Sequence, residues 1–457
     1  MLTGPLSMAP VRRRTVVTSV STAALSAGGG CTDFLSQESD GEQGTDANRS
    51  EPVTDVAMSF VNDLADARFE SALKRFAPSV REEIGVGQLE QIWLGYTAGG
   101  GAFDGIAATE ETVMSGHDTI DVTMAFDHGE HGLRLVFDAE SRIFEFAFND
   151  AYERPTYVDP SAVDERDIDL ETDECSLGGT VTTPSNGDNV PGVVLVHGSG
   201  KANRDVQQVA TRMFKDLADG LATQGIATLR YDKRTHTCEV APADHTLDRV
   251  TVDDALVAIE RLRTVDGVDG DRIVVAGHSM GGMAAPRIAD RDGNLAGVAG
   301  LAAPARPFHE MVLDQLEHQA TVGDRTWEGM SERYEEWSDD VARIRDGDYD
   351  PDEIIVGLPG ALWASLESYD HIEVAGKLDA PLLFLQGDRD YQVTVEDDLE
   401  LWRSELGDRS VPEFKTYDGL NHLLMPGEGP AGVFESFVRN NVAERVVDDF
   451  VGWIDDV

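Results

Sequence analysis

Ile273-Val274-Val275-Ala276-Gly277-His278-Ser279-Met280-Gly281-Gly282-Met283-Ala284-Ala285 is the stretch that decides the fold. The apolar run from Ile273 to Ala276 reads as a buried strand, and Gly282 to Ala285 opens a helix. Between them, Gly277-His278-Ser279-Met280-Gly281 fits G-x-S-x-G in the strand–turn–helix setting that a nucleophile elbow needs. Glycines two before and two after the serine let strand and helix approach without side-chain clash. The Ser279 hydroxyl then stands at the carboxyl end of a sheet strand, over a helix N-terminus. The bland alternative is a glycine-rich turn with a capping serine. The flanking strand and the second glycine pair weigh against it.

A serine hydroxyl is a weak nucleophile and needs a base and an orienting acid. In this setting they follow in the order Ser, Asp or Glu, His. Pro381-Leu382-Leu383-Phe384-Leu385 reads as a buried parallel strand that runs into Gly387-Asp388-Arg389-Asp390-Tyr391-Gln392-Val393. Pro412-Glu413-Phe414-Lys415-Thr416-Tyr417 reads as the next strand, ending in Asp418-Gly419-Leu420-Asn421-His422. The acid and His422 thus fall just past strand carboxyl ends, where sites of open α/β sheets lie. His422 could be one surface histidine among 11, but its position after the last strand favours the base. His278 is a poorer base because it adjoins the nucleophile. Asp388 and Asp390 compete for the acid.

The backbone N–H of Met280, directly after the nucleophile, is one expected oxyanion donor. The other should come from the loop His197-Gly198-Ser199-Gly200, which leaves the strand at 193–196. Its glycines let the main chain approach a developing oxyanion, and losing such a donor typically costs about 3 kcal/mol. His197 reads as a structural residue of that loop. Arg204-Asp205 and Asp232-Lys233-Arg234 follow strand ends and could line the pocket entrance, but read rather as salt bridges fixing the surrounding loops, not as catalytic groups.

In this order, Val196-His197-Gly198-Ser199-Gly200, Arg230-Tyr231-Asp232-Lys233-Arg234-Thr235, the elbow, Leu385-Gln386-Gly387-Asp388-Arg389-Asp390-Tyr391-Gln392-Val393 and Gly419-Leu420-Asn421-His422 resemble one group of α/β-hydrolases. These are serine carboxylesterases related to dienelactone hydrolases, with an extra N-terminal domain. The resemblance covers about residues 170–457. It implies that the acid is the third residue after the strand-ending glycine, Asp390, and that the second oxyanion donor is Ser199. It implies ester hydrolysis through an acyl-enzyme by Ser279, Asp390 and His422, with no metal or organic cofactor. Dienelactone hydrolases proper use a cysteine nucleophile. Ser279 stands at that position here, so the narrower activity is not implied.

At 457 residues the chain suits two domains. Its 85 acidic and 37 basic residues leave a formal charge of −48, and lysine is scarce. Such a surface repels itself unless salt screens it, and it resembles the proteins of salt-in halophilic archaea. Nucleic-acid binding is disfavoured, because phosphate contacts need a basic face.

Arg12-Arg13-Arg14, a mildly apolar small-residue stretch at 15–27 and Gly28-Gly29-Gly30-Cys31 resemble the start of a Tat-exported lipoprotein lipidated at Cys31. Met8 is an alternative start to Met1. The three glycines depart from the usual lipobox, and a disordered tail is the alternative. The stretch is too short and polar to span a membrane. The expectation is a protein on the outer face of the cell membrane, or secreted, touching the membrane only through the anchor. Cys175 and Cys238 could then form a disulfide in an oxidising exterior, or be two unrelated buried thiols. The sequence leaves the oligomeric state open.

The expected organisation is a signal and lipobox segment (1–31), an acidic tether (32–53), a small α+β domain (54–150), a linker (151–165) and the catalytic domain (166–457). In the first domain, Val56, Ala57, Phe60, Val61 and Leu64 share a helical face, and a second helix covers Val86 to Tyr96. Period-two runs through Ile120 to Phe126, Leu133 to Phe137 and Phe144 to Phe148 predict three strands. Helices followed by an antiparallel sheet resemble the cone-shaped, NTF2- or cystatin-like accessory domains of such hydrolases. His117, His128 and His131 read as loop histidines rather than metal ligands. In the second domain, strands alternating with helices predict a doubly wound, mostly parallel α/β sheet. Asp266-Gly267-Val268-Asp269-Gly270-Asp271 lacks EF-hand spacing and reads as a turn. The alternation stops at 304–377, a helical, acidic stretch with Trp327, Tyr334, Trp337 and Trp363. It should cap the sheet's carboxyl edge, with most aromatics packing its own core.

The leading expectation is a serine carboxylesterase acting on small-molecule esters. One alternative is a peptidase of the prolyl-oligopeptidase type, although no repetitive propeller precedes the hydrolase part. Another is a hydrolase-fold surface protein without activity, against which the intact Ser279, Asp390 and His422 argue.

Overall fold

The computed structural model describes residues 51–325, 329–407 and 412–457. The twin-arginine segment, Cys31, most of the tether and Trp327 lie outside the described residues.

The chain begins with helices α1 (Val53–Ala65), α2 (Phe69–Leu73), α3 (Pro78–Arg81) and α4 (Val86–Gly100), then strands β1 (Phe103–Met114), β2 (His117–Phe126), β3 (Gly129–Phe137) and β4 (Ile143–Phe148). α1 buries Val53, Val56, Ala57, Phe60, Val61 and Leu64, the i, i+3, i+4 stripe that its sequence shows. The strands form an antiparallel meander in the order β1-β2-β3-β4. β1 was not among the three expected strands. Its middle, Ala107-Ala108-Thr109-Glu110-Glu111, is exposed, so no alternation marks it. The core between helices and sheet also takes in Phe434 and Val438, from far along the chain.

Residues 149–162 are stitched to the second half. The Tyr152 hydroxyl donates to Asp216 at 2.9 Å, Arg154 to Asp219 at 2.7 Å, and the Tyr157 hydroxyl to the Val442 carbonyl at 2.9 Å.

The second half is built on strands β5 (Val163–Glu171), β6 (Ser176–Pro184), β7 (Val190–Val196), β8 (Ala227–Tyr231), β9 (Val268–His278), β10 (Gly297–Leu301), β11 (Leu382–Gly387) and β12 (Pro412–Tyr417). The order is β12-β11-β10-β9-β7-β8-β6-β5. Pairing is parallel from β12 to β8, and β6 runs antiparallel to its neighbours β8 and β5. Helices cover both faces, so these strands read as near-continuous apolar runs. Val194, Val196, Ile273, Val275, Leu382 and Phe384 face one layer. Val193, Leu195, Val274, Ala276, Leu383 and Leu385 face the other. The first layer holds α6 (Asp253–Arg263) and α7 (Met280–Asp292); the second holds α5 (Met213–Thr223) and α13 (Glu444–Asp456).

Between β10 and β11 lie α8 (Phe308–Thr321), α9 (Met330–Asp346), a two-residue strand pair at Ile354–Ile355 and Leu358–Pro359, α10 (Gly360–Glu367) and α11 (His371–Lys377); α12 (Glu400–Leu406) follows β11. α11 packs on α7 and α12. Trp363 is fully buried, donates its indole N–H to Ile355 O at 2.8 Å and packs beside Phe308. It therefore belongs to this segment's own core.

Cys175, in the β5–β6 turn, is disulfide-bonded to Cys238, with Cα atoms 6.6 Å apart. No described helix is long and apolar enough to cross a membrane.

Candidate active site

Ser279 sits between central strand β9 and helix α7 with φ +55° and ψ −126°. For a non-glycine residue this is a strained conformation, of a kind that persists where surrounding structure over-determines it. A Cβ on Gly277 would overlap the Gly281 carbonyl, and one on Gly281 would overlap the carbonyls of Val196 and His197. The two glycines are thus demanded by the close approach of strand, helix and the loop after β7. The Ser279 N–H donates to Leu301 O at 2.9 Å, which fixes the turn to β10. Its hydroxyl does not cap α7, and the residue remains partly exposed.

Asp390 follows β11 by three residues and is 4% exposed. One carboxylate oxygen accepts the N–H groups of Gln392 (2.8 Å) and Val393 (3.0 Å). The other accepts Gln386 Nε2 at 2.9 Å and His422 Nδ1 at 2.7 Å. An ionised carboxylate only accepts, so the His422 proton sits on Nδ1 and Nε2 is left with a free lone pair. Asp388, by contrast, is exposed and accepts the Gly419 N–H at 2.6 Å.

The loop carrying His422 is held from several sides. Asn421 accepts the N–H groups of Leu423 and Met425 and donates to Glu435, which forms a two-pronged pair with Arg389 at 3.0 Å. His278 donates Nε2–H to the His422 carbonyl at 2.9 Å, and the two rings lie 4.6 Å apart. Burial, with His422 beside it, pushes His278 down to about 3. It is therefore a neutral donor that positions His422 through its backbone and stays out of proton transfer at neutral pH.

At the expected oxyanion site, the Met280 N–H opens α7 and is among the amides a helix start leaves without an intrahelical partner. Gly198 lies against the serine: a Cβ there would be 3.0 Å from Ser279 Cβ. Ser199 is the next residue of that loop and is partly exposed. His197 is buried, hydrogen-bonds the Asn203 carbonyl at 3.2 Å and is pushed down to about 3 by burial, with Lys233 nearby.

Arg204 pairs with Asp232 at 2.8 Å, Arg230 with Asp205 at 2.9 Å, and Arg234 with Asp254. The first two pairs tie the loop after β7 to β8 and the turn after it, and the third ties that turn to α6; Lys233, expected in the same charge cluster, has no ion pair among the described residues. Sequence reasoning missed three contacts: Gln386 on Asp390, His278 on His422, and Lys233 Nζ on the Gly198 carbonyl. Gln386 had a signal, being the one polar side chain in the run Leu382 to Gly387. Among the described residues, no group of three or more His, Cys, Asp or Glu side chains is arranged to hold a metal ion. His131 is buried against Asp150 at 2.7 Å, and His117 packs edge-on to Phe144.

The description "Alpha/beta hydrolase family" belongs to the family model that matches residues 193–436. Esterase EstD of Thermotoga maritima is 35% identical over 402 residues, spanning 87% of this chain and 94% of that protein. Among solved structures, Est1E from Butyrivibrio proteoclasticus is similar at 17% identity and a TM-score of 0.42, over 64% of this chain and 99% of that one. A putative dienelactone hydrolase from Klebsiella pneumoniae is similar at 15% identity and a TM-score of 0.38, over 65% of this chain and 100% of that one. Both are too distant to bear on activity.

Proposed function

This chain belongs to the alpha/beta hydrolase family and is a hydrolase related to esterases; on that premise we propose that it cleaves carboxylic esters through an acyl-enzyme formed on Ser279. Ser279 Oγ attacks the ester carbonyl while His422 Nε2 takes its proton. Asp390 stabilises the imidazolium that forms. The carbonyl oxygen becomes an oxyanion held by the Met280 and Ser199 N–H groups. Collapse breaks the bond to the alkoxy group, which leaves as an alcohol with the proton from His422. Water then attacks the acyl-enzyme with His422 again as base, releasing the carboxylic acid and restoring Ser279.

The observation that carries this reading is the buried Asp390–His422 pair, 2.7 Å apart, with the His422 ring against His278, next to the strained serine. The test pairs a chromogenic short-chain ester with a fluorophosphonate probe. The wild type should hydrolyse the ester and be labelled at Ser279. Ser279→Ala should fold and lose both. Residual hydrolysis above about one part in a thousand would remove Ser279 from the mechanism.

We further propose that the protein is exported from a salt-accumulating cell and anchored by lipid on Cys31. The arginine-led N-terminus motivates this, and the Cys175–Cys238 disulfide supports an oxidising destination. Cys31→Ser expressed in a Tat-competent host should move the protein from the membrane to the soluble fraction. An unchanged distribution would end the anchor proposal.

A further inference from the structure

Lys233 lies in the turn after β8, and its side chain is almost wholly buried at 2% exposure. Burying an ammonium is expensive unless it is paired. Asp254, the acid whose charge acts on Lys233, is engaged by Arg234. Among the described residues, Lys233 Nζ makes one hydrogen bond, to the carbonyl of Gly198. That carbonyl belongs to the loop lying against Ser279.

The same short turn holds the loop at two further carbonyls. The Lys233 N–H donates to Ala202 O at 3.0 Å, and the Thr235 hydroxyl donates to Gly200 O at 3.0 Å. Carbonyls 198, 200 and 202 are therefore all gripped by residues 233–235. No peptide bond in the described chain is cis. In a planar trans peptide the C=O of one residue and the N–H of the next point in opposite directions. Fixing the Gly198 carbonyl thus fixes the opposite aim of the Ser199 N–H.

We propose that Lys233 is a positioning residue of the oxyanion hole: it holds the Gly198–Ser199 peptide by its carbonyl so that the Ser199 N–H meets the charge developing on the substrate oxygen. This rests on the esterase reading and on Ser199 as the second donor. The ammonium does more than aim the peptide. A cation on the carbonyl polarises the peptide and strengthens its N–H as a donor, and donors fixed before the reaction need no reorganisation during it. Burial pushes Lys233 down to about 7, so the polarising ammonium is fully present only below that pH, while the neutral amine above it still donates an N–H to the Gly198 carbonyl and keeps the peptide aimed. His197 and His245 are likewise pushed down by burial, with Lys233 nearby.

The test uses Lys233→Met, which keeps most of the side-chain volume, and the milder Thr235→Val. Three quantities are read on each full-length variant: kcat and KM for the ester, the inhibition constant of a trifluoromethyl ketone, and the rate of fluorophosphonate labelling. The ketone forms a tetrahedral adduct with the serine and so reports on the oxyanion hole. Lys233→Met should lower kcat about 10²-fold, near the loss for a removed oxyanion donor. KM should change less than about threefold, and the ketone should weaken by the same factor as kcat/KM falls. Thr235→Val should shift both in parallel by a smaller factor. If Lys233→Met does not fold, Thr235→Val decides. A folded variant with lower kcat but undiminished ketone affinity overturns the proposal, as does no change in either variant. If the wild type is labelled but hydrolyses no ester, the esterase reading fails, and the labelling rates and ketone affinities of the variants still decide the role of Lys233. A wild type that is not labelled overturns both.

Discussion

Asp388 and Asp390 leave the same strand end, and only Asp390 turns inward. Asp388 accepts one backbone N–H at the surface, a bond an amide oxygen can also accept. Asp390 is buried and meets His422 Nδ1 through an oxygen also held by Gln386. Replacing Asp390 by Asn puts an NH₂ donor or a neutral oxygen where the imidazole needs an anion, and favours the wrong tautomer. Asp390→Asn should therefore lower kcat about 10⁴-fold, while Asp388→Asn should cost no more than a few-fold. Steady-state kinetics on both variants checks this, and equal losses would show that the carboxylates have been misassigned. From the residues alone the two acids could not be separated, and the family pattern was needed to choose. Ser279 and His422 were legible because a steric rule and the strand order mark them. The holds of His278 on His422 and of Lys233 on Gly198 were not, since they join segments 144 and 35 residues apart through packing that no local pattern encodes.

At the scale of elements, legibility followed burial. Strands β7 and β11 and the part of β9 from Ile273 on are buried, so each reads as an apolar run. α1 buries one stripe and announces its helical period, whereas α5 is buried nearly all round and is marked by the helical spacing of its apolar residues. β1 is mostly exposed and its pairing with β2 is irregular near Gly105, so neither composition nor period gave it away. A further feature was hidden for a different reason. Phe434 and Val438 belong by sequence to the catalytic half but complete the core of the first. α4 packs closely there: a Cβ on Gly95 would lie 2.8 Å from the Phe434 carbonyl carbon. Glu435, the next residue, is the partner of both Arg389 and Asn421. The N-terminal helices therefore pack on the segment that anchors the loops of Asp390 and His422. α8 is held from the same side, with Gln91 donating to Gln319 O at 2.6 Å and Arg325 paired with Glu90 at 3.2 Å. Helix and strand patterns predicted helices followed by an antiparallel sheet in the first half, and those elements are present. Its docking is a long-range apolar match and had no signature in either half.

Over the whole molecule, the −48 charge sets the conditions for stability. If each of the 37 basic side chains neutralised one carboxylate, the charge of 48 of the 85 carboxylates would still be uncompensated. Folding brings these groups closer together than they are in the unfolded chain, and their mutual repulsion opposes the compact state. Salt has two opposing effects here. It weakens exposed ion pairs such as Lys377–Glu373 and Arg403–Glu400, but exposed pairs are worth only about 0–1 kcal/mol each. It also screens the repulsion, because the Debye length shrinks from about 10 Å at 0.1 M to about 3 Å at 1 M. With acids more than twice as numerous as bases, the second effect wins. A chain beginning near residue 52 should therefore melt at a higher temperature, and keep its activity longer, in molar KCl or NaCl than in dilute buffer. A melting series from about 0.1 M to 2 M salt checks this. A melting temperature that stays flat or falls across the series would mean that local ion pairs outweigh net repulsion, and the salt-dependent reading of the composition would fail. The chemistry assigned to Ser279, Asp390 and His422 would be unaffected, because the Asp390–His422 pair is buried and salt screens it far less than the surface.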